Sequence, residues 1–93
     1  MNKYEALFIV KPDLSEDDRK ALFSQINDSI VKQNGSVFAS SVWSERRKLT
    51  FPIKKYHEGV YYLVNFGIET EGIVKLRAIY KLNEGILRVL ITR

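Results

Sequence analysis

The residues best suited to bind a ligand lie together in one basic segment, residues 46–55. Five of its ten residues are cationic and none is acidic. The guanidinium group of arginine forks onto two phosphate oxygens, and the ammonium group of lysine acts as a point charge on the same kind of anion. The segment therefore favours a ligand that carries phosphates. We expect these contacts from Arg46, Arg47, Lys48, Lys54 and Lys55.

Apolar residues alternate within the basic segment, which indicates an extended chain and not a helix. Leu49, Phe51 and Ile53 are spaced two residues apart, the period of a strand with one apolar face. Pro52 has no backbone N–H to donate, which argues for an edge strand or an irregular connection. We expect apolar contacts, with the protein's own core or with a partner, to shape this segment.

Two further arginines come second as candidates for the same contacts. Arg88 interrupts an otherwise apolar segment, and Arg93 stands at the end of the sequence. An arginine on an apolar face covers that face with its stem and keeps its charged head in water. Arg88 therefore suits a protein partner as well as a nucleic acid.

The charges are distributed unevenly between the two halves of the chain. The net charge is +4, but residues 1–45 carry five Lys or Arg against seven Asp or Glu, a balance of −2. Residues 46–93 carry ten against four, a balance of +6. This asymmetry favours an anionic partner that contacts mainly the second half, although many small domains with such a charge bind no nucleic acid.

The sequence lacks the residue combinations that catalytic sites usually contain. His57 is the single histidine and there is no cysteine, so ligands for a metal are scarce. No serine lies in a Gly-x-Ser-x-Gly turn, and the acids at 13 and 16–18 are typical of a helix N-terminus. A phosphate cradle needs glycine, and residues 11–15 contain none, which weakens an acylphosphatase-like hydrolase. We expect no enzymatic activity, no metal and no cofactor.

No segment predicts a membrane span or a secretory signal. The apolar run at residues 7–10 is too short for either. The lack of cysteine leans towards the cytoplasm.

Hydrophobic periodicity and turn residues predict six elements within a single domain, residues 1–93. Ser15 is expected to cap the first helix and Thr70 the second, while Asn34-Gly35 ends the first. In the second strand, Val37, Ala39 and Trp43 are expected to share one face. The expected strands are residues 4–10, 36–44, 60–68 and 86–92. The expected helices begin at 15 and 70; the first stops at 34–35 and the second ends near 82.

The order β-α-β-β-α-β predicts an α+β, ferredoxin-like fold, the split βαβ arrangement. Four antiparallel strands form one sheet, both helices cover one face, and right-handed crossovers place the first and third strands in the centre. RNA-recognition modules share this order and expose aromatic rings on their central strands. The third strand lacks their signature motif, so we expect most of its rings to pack against the helices.

Several motifs resemble a known family over nearly the whole chain. The most specific is Leu49-Thr50-Phe51-Pro52-Ile53-Lys54-Lys55, preceded by Trp43 and Arg46-Arg47. Supporting matches are Tyr4-Glu5, Pro12-Asp13, residues 61–66 and residues 82–88. The chain is similar to the sixth small-subunit ribosomal protein of bacteria. It departs from that family at Ser44-Glu45, where many members carry a glycine, and has one extra residue before the arginines.

The resemblance implies a ferredoxin-like fold and a structural role in the cytoplasmic ribosome. It implies binding to the central domain of small-subunit ribosomal RNA, as a heterodimer with the eighteenth small-subunit protein. It implies no catalysis, no small-molecule substrate and no membrane contact. Two alternatives from other classes stay open at this point: an acylphosphatase-like small hydrolase, and a regulatory ligand-binding module that forms homodimers through sheet edges.

Overall fold

A computed structural model describes residues 2–93, which form the β-α-β-β-α-β order expected from the sequence. The four strands make one antiparallel sheet in the order β2-β3-β1-β4, so the first and third strands are central, as expected. The elements are β1 (Asn2–Val10), α1 (Glu16–Lys32), β2 (Ser36–Ile53), β3 (Tyr56–Ile68), α2 (Thr70–Leu82) and β4 (Ile86–Thr92).

Both helices pack on one face of the sheet around a continuous apolar core. Strand alternation sends Ala6, Phe8 and Val10 of β1 into this core, together with the even-numbered residues of β3 from 60 to 68. The ring of Phe8 meets that of Tyr80 edge-on at 4.9 Å, and the Tyr80 hydroxyl donates to the carbonyl of Ile26 at 2.9 Å. One aromatic pair therefore joins the central strand to α2 and α2 to α1. Burial raises the pKa of Tyr80.

Helix α1 begins and ends with the local signals that the sequence carries. The Ser15 side chain accepts a hydrogen bond from the backbone N–H of Asp18 at 3.1 Å, the expected cap. Asn34, and not Gly35, takes the left-handed backbone conformation after the helix, with φ 65°. Gly35 follows in a crowded site, because a Cβ there would lie 2.8 Å from Ile30 Cγ2.

The expected cap of α2 is wrong by one residue. Glu69 occupies the N-cap position with extended backbone, and no side-chain cap bond forms there. Thr70 is already helical, and its hydroxyl oxygen accepts a hydrogen bond from the Asn2 amide nitrogen at 2.9 Å. The side chain thus links the start of α2 to β1 and does not cap the helix.

Strand β2 is much longer than the sequence indicated. It was expected to end near Ser44, but it continues to Ile53 and takes in most of the basic segment. The reason is that β3 also begins earlier, at Tyr56, and offers backbone partners to Arg47, Lys48 and Ile53. Because β2 lies at the edge of the sheet, Pro52 is tolerated there without an N–H group.

Strand β2 also contains more residues than its partner can pair. Between the pairs Ser36↔Gly67 and Ile53↔Tyr56, β2 spans 17 residue steps (53 minus 36) and β3 spans 11 (67 minus 56), an excess of six. The register accordingly shifts at four places, which is the behaviour of β-bulges. The expected shared face is therefore wrong: Val37 packs against the core, whereas Trp43 lies against Tyr61 on the other face.

The turn between β2 and β3 is a two-residue connection made of two lysines. Lys54 has φ 48° and Lys55 has φ 73°, so both lie in the left-handed region. A tight hairpin turn with positive φ at both positions normally carries Asn-Gly, because these residues tolerate that region. The two lysines hold it at a conformational cost of about 1–2 kcal/mol each.

Replacing this turn by Lys54→Asn with Lys55→Gly should stabilise the protein. We expect the free energy of unfolding to rise by about 1 kcal/mol, since the relief of strain exceeds the extra chain entropy of glycine. Urea denaturation at pH 7 measures the change. The matched control, Lys54→Gln with Lys55→Gln, removes the same charges and keeps the strain. An equal gain in the control would assign the effect to charge repulsion.

Candidate functional site

Arg47 projects from β2 onto the face of the sheet that carries no helix, where two aromatic rings hold it. Its guanidinium carbon lies 4.8 Å from the centre of the Trp43 ring and 5.5 Å from that of Tyr61. The two rings are themselves 5.7 Å apart. Arginine stacks on aromatic faces through the ring quadrupole. The planar cation is thus held in place while remaining exposed.

Arg46 and Lys48 are balanced in part by one acid on the neighbouring strand. Arg46 Nη1 lies 3.4 Å from Glu58 Oε2, with both side chains largely in solvent. Lys48 is the register partner of the same Glu58. An exposed ion pair of this kind contributes little to stability. An incoming phosphate can therefore replace the Glu58 carboxylate at small cost.

Beyond Lys48 the hairpin bends across the sheet, and its apolar residues cover β1. Three apolar residues of the hairpin, Leu49, Phe51 and Ile53, line a small cavity of about 150 Å³. Its other lining residues are Thr50, Ile9, Tyr61 and Arg88. A Cβ on Gly59 would lie 2.5 Å from Ile9 Cγ2, so glycine at 59 permits this close approach. The apolar contacts expected for the basic segment are thus made within the chain, although Phe51 remains 76% exposed.

The tip of the hairpin is tied to the loop that follows β1. The Tyr56 hydroxyl donates to Asp13 Oδ2 at 3.0 Å, and the Lys11 ammonium lies 5.9 Å from the centre of the Tyr56 ring. The hydrogen bond to the Asp13 carboxylate raises the pKa of Tyr56. This anchor holds the turn that carries Lys54 and Lys55.

Lys54 and Arg88, 34 positions apart in the chain, lie together at a groove of about 450 Å³. Two more cations line it, Arg77 and Lys81 on α2. These two residues are not among the candidates predicted from the sequence. The signal that the sequence carries for them is their i, i+4 spacing, which puts both on one face of the helix. The groove is thus bounded by the hairpin tip, α2 and β4.

Arg93 lies away from the other candidates, at the opposite end of β4 from the groove. Its guanidinium carbon is 5.5 Å from the centre of the Tyr4 ring. Hydrogen bonding with Thr70, and next with Arg93, lowers the pKa of Tyr4. Arg93 therefore packs beside β1. The remaining candidate, Lys55, lies in the turn between β2 and β3 and is exposed.

The helix-free face presents an apolar row across three strands. Leu7 pairs with Leu63 on one side and with Leu90 on the other, and Leu90 is 43% exposed. The adjacent row runs from Tyr61 through Ile9 to Arg88. Of the central-strand rings, Phe8, Tyr62 and Phe66 are buried in the core as expected, and Tyr61 faces the other way.

Within residues 2–93 no group of three or more acids or histidine gathers in a way that could hold a metal ion. Neither described helix is long and apolar enough to cross a bilayer.

The sequence and the fold both match proteins of the small ribosomal subunit. The family model described as Ribosomal protein S6 matches residues 3–93. Small ribosomal subunit protein bS6 of Caldanaerobacter subterraneus is 37% identical, and that of Thermoanaerobacter pseudethanolicus 38% identical; each match covers all of this chain and 97% of the relative. The crystal structure of 30S ribosomal protein S6 from Thermotoga maritima superposes with a TM-score of 0.89 at 26% identity, covering 98% of this chain and 85% of that one.

Trp43 is the single tryptophan of the sequence, so its fluorescence reports directly on the Arg47 contact. Arg47→Gln should shift and change the intensity of the tryptophan emission, because the stacked cation is removed. We expect the free energy of unfolding to fall by only about 0.5–1 kcal/mol. The control Arg46→Gln removes the neighbouring charge without touching the ring and should leave the emission unchanged. Equal spectral changes in both variants would contradict the stacked arrangement.

Proposed function

The chain belongs to the ribosomal protein S6 family, and from this premise we propose that it binds the central domain of small-subunit ribosomal RNA together with the eighteenth small-subunit protein. Membership makes it a structural protein of the small ribosomal subunit, and hence a cytoplasmic one, without enzymatic activity. The finer assignment, to RNA contacts and to one protein partner, is the proposal.

The observation that carries the RNA contact is the exposed guanidinium of Arg47, held between Trp43 and Tyr61. A pre-positioned arginine loses little side-chain freedom when it forks onto a phosphate. Arg46 and Lys48 flank it on the same strand with only Glu58 opposite. In the consecutive pairs Arg47↔Gly59 and Lys48↔Glu58 the side chains point to opposite faces. A phosphodiester backbone at the β2 edge would therefore meet Arg47 on the helix-free face and Lys48 on the other.

The surface that best fits the protein partner is the leucine row of the helix-free face. Leu63, Leu7 and Leu90 lie side by side across three strands, and no helix covers them. Leu90 is exposed and Leu7 and Leu63 are half-buried, and contiguous accessible apolar side chains mark an interaction surface. Arg88 in the adjacent row offers a polar rim of the kind that protein interfaces carry. RNA and protein would then bind neighbouring surfaces, with β2 between them.

Removing the two arginines should weaken RNA binding and its salt dependence. We expect Arg46→Gln with Arg47→Gln to lower the affinity of the heterodimer for central-domain RNA. The slope of log K against log salt should become shallower by about 1.8, because two phosphate contacts are lost. Filter binding between 50 and 300 mM salt measures both quantities. The control, Lys20→Gln with Lys32→Gln on α1, removes the same charge from the helical side.

An unchanged slope in the arginine variant would contradict direct phosphate contact. A loss of equal size in the α1 control would assign the effect to net charge alone.

Charging the leucine row should prevent the protein contact. We expect Leu90→Glu to abolish heterodimer formation with the eighteenth small-subunit protein, since a carboxylate would be desolvated at the interface. The matched control is Leu82→Glu on α2, where the leucine is 84% exposed on the helical side; it should leave the heterodimer intact. Sedimentation velocity distinguishes the two. A tight homodimer of the isolated chain would favour the regulatory-module alternative.

A further inference from the structure

A groove along the edge strand β4, bounded by α2 and the hairpin tip, gathers four cations from distant parts of the chain. Lys54 comes from the hairpin turn, Arg77 and Lys81 from α2, and Arg88 from β4. The groove has a volume of about 450 Å³ and contains no acidic side chain in its lining. Only the fold brings these residues together, since they span 35 positions of sequence.

None of the four cations has an ion-pair partner among residues 2–93. A groove of this volume is roughly 10 Å across, about the Debye length at 0.1 M salt, so the charges repel one another through it. Folding brings them together without compensation from any described acid. An anion that enters the groove relieves the repulsion and gains hydrogen bonds from two guanidinium groups.

The hairpin turn determines how Lys54 reaches the groove. Lys54 reaches the groove from a left-handed backbone position that lysine rarely occupies. Backbone strain of this kind persists where the surroundings over-determine it, and it clusters at ligand-binding sites. A requirement for the charge of Lys54 at the groove would explain why lysine, and not asparagine, occupies this strained position.

The floor of the groove is apolar and offers no ring for stacking. It consists of Ile86, Leu87 and Val89 of β4 together with Tyr80. Tyr80 is only 2% exposed and its hydroxyl is engaged by Ile26, so it presents no aromatic face to a base. The floor suits the sugar carbons of a nucleic-acid strand, whose phosphates would lie on the cationic rim.

We propose that this groove binds a single RNA strand through its backbone, with phosphates on Lys54, Arg77, Lys81 and Arg88, and riboses on the apolar floor. The inference rests on the proposed function in taking RNA as the anion. It adds a second RNA surface, at the β4 edge of the sheet, whereas the Arg47 platform lies at the β2 edge. Arg88 lines both this groove and the cavity beneath the hairpin, so the two surfaces adjoin there. Binding should not depend on base identity.

The test uses the full chain and fluorescein-labelled hexauridylate, followed by anisotropy from 50 to 300 mM salt. Arg77→Gln with Lys81→Gln should weaken binding about tenfold and make the salt slope shallower by about 1.4, the value for two single-strand phosphate contacts. The control, Arg19→Gln with Lys75→Gln, removes one arginine and one lysine outside the groove and should change affinity less than twofold. Circular dichroism checks that both variants fold. Hexaadenylate should bind within about threefold of hexauridylate.

Equal losses in the groove variant and the control would overturn the groove, because net charge would then explain binding. A strong preference between the two oligonucleotides would overturn backbone recognition. Equal affinity for inorganic pyrophosphate would show a small-anion site instead of a strand-binding one. If central-domain RNA binding falls with the Arg46 and Arg47 changes but not with Arg77 and Lys81, the groove fails and the proposed function stands. Absence of hexauridylate binding by the isolated chain overturns the groove, and absence of central-domain RNA binding by the heterodimer overturns the proposed function.

Discussion

The surplus of residues in β2 over β3 is the constraint on which the candidate site depends. Six residues of β2 have no place in the ladder, and each must bulge out of it or bend the hairpin. Trp43 and Arg47 are four residues apart and would share a face even in a regular strand. Between Ser44 and Arg47, three steps of β2 stand opposite two steps of β3, and this shortening brings both side chains beside Tyr61. The bend carries the hairpin over Ile9 and delivers its tip to α2 and β4. A regular β2 of the same composition would place these groups elsewhere.

The cations consequently fall into two surfaces with different electrostatics. On the β2 edge, charge is partly balanced by Glu58 and one guanidinium rests on aromatic rings. In the groove, four charges face one another with no acid in the lining. The first surface presents a planar guanidinium group in a fixed position, and the second presents a strong positive electrostatic potential. Much of the +6 net charge of residues 46–93 is thus concentrated on two surfaces and is not spread evenly over the protein.

Most features that depend on neighbouring residues were predicted from the sequence, the cap of α2 being off by one residue. Ser15 caps α1, α2 ends at Leu82 and β4 runs from Ile86 to Thr92, because apolar periodicity, capping and turn residues act locally. The length of β2 and its bulges depend on which residues of β3 stand opposite, a long-range register that no window of sequence reveals. Composition identified the basic segment, but it did not predict that the segment continues β2 to Ile53.

The groove could not be predicted for the same reason. Arg77 and Lys81 look like an ordinary solvated helix face, and Lys54 and Arg88 are remote from them in sequence. Their proximity follows from the packing of α2 on β4 and from the bend of the hairpin. Charge clusters formed in this way can be identified only from the three-dimensional structure.

The broken ladder of β2 also governs how copies of this protein behave at high concentration. An edge strand of 18 residues with Phe38, Val42 and Trp43 in solvent is the kind of surface that recruits further strands. Recruitment needs an uninterrupted line of free N–H and C=O groups in one plane. The four register shifts divide that line into short pieces. The edge can therefore carry large apolar side chains without seeding fibrous assembly.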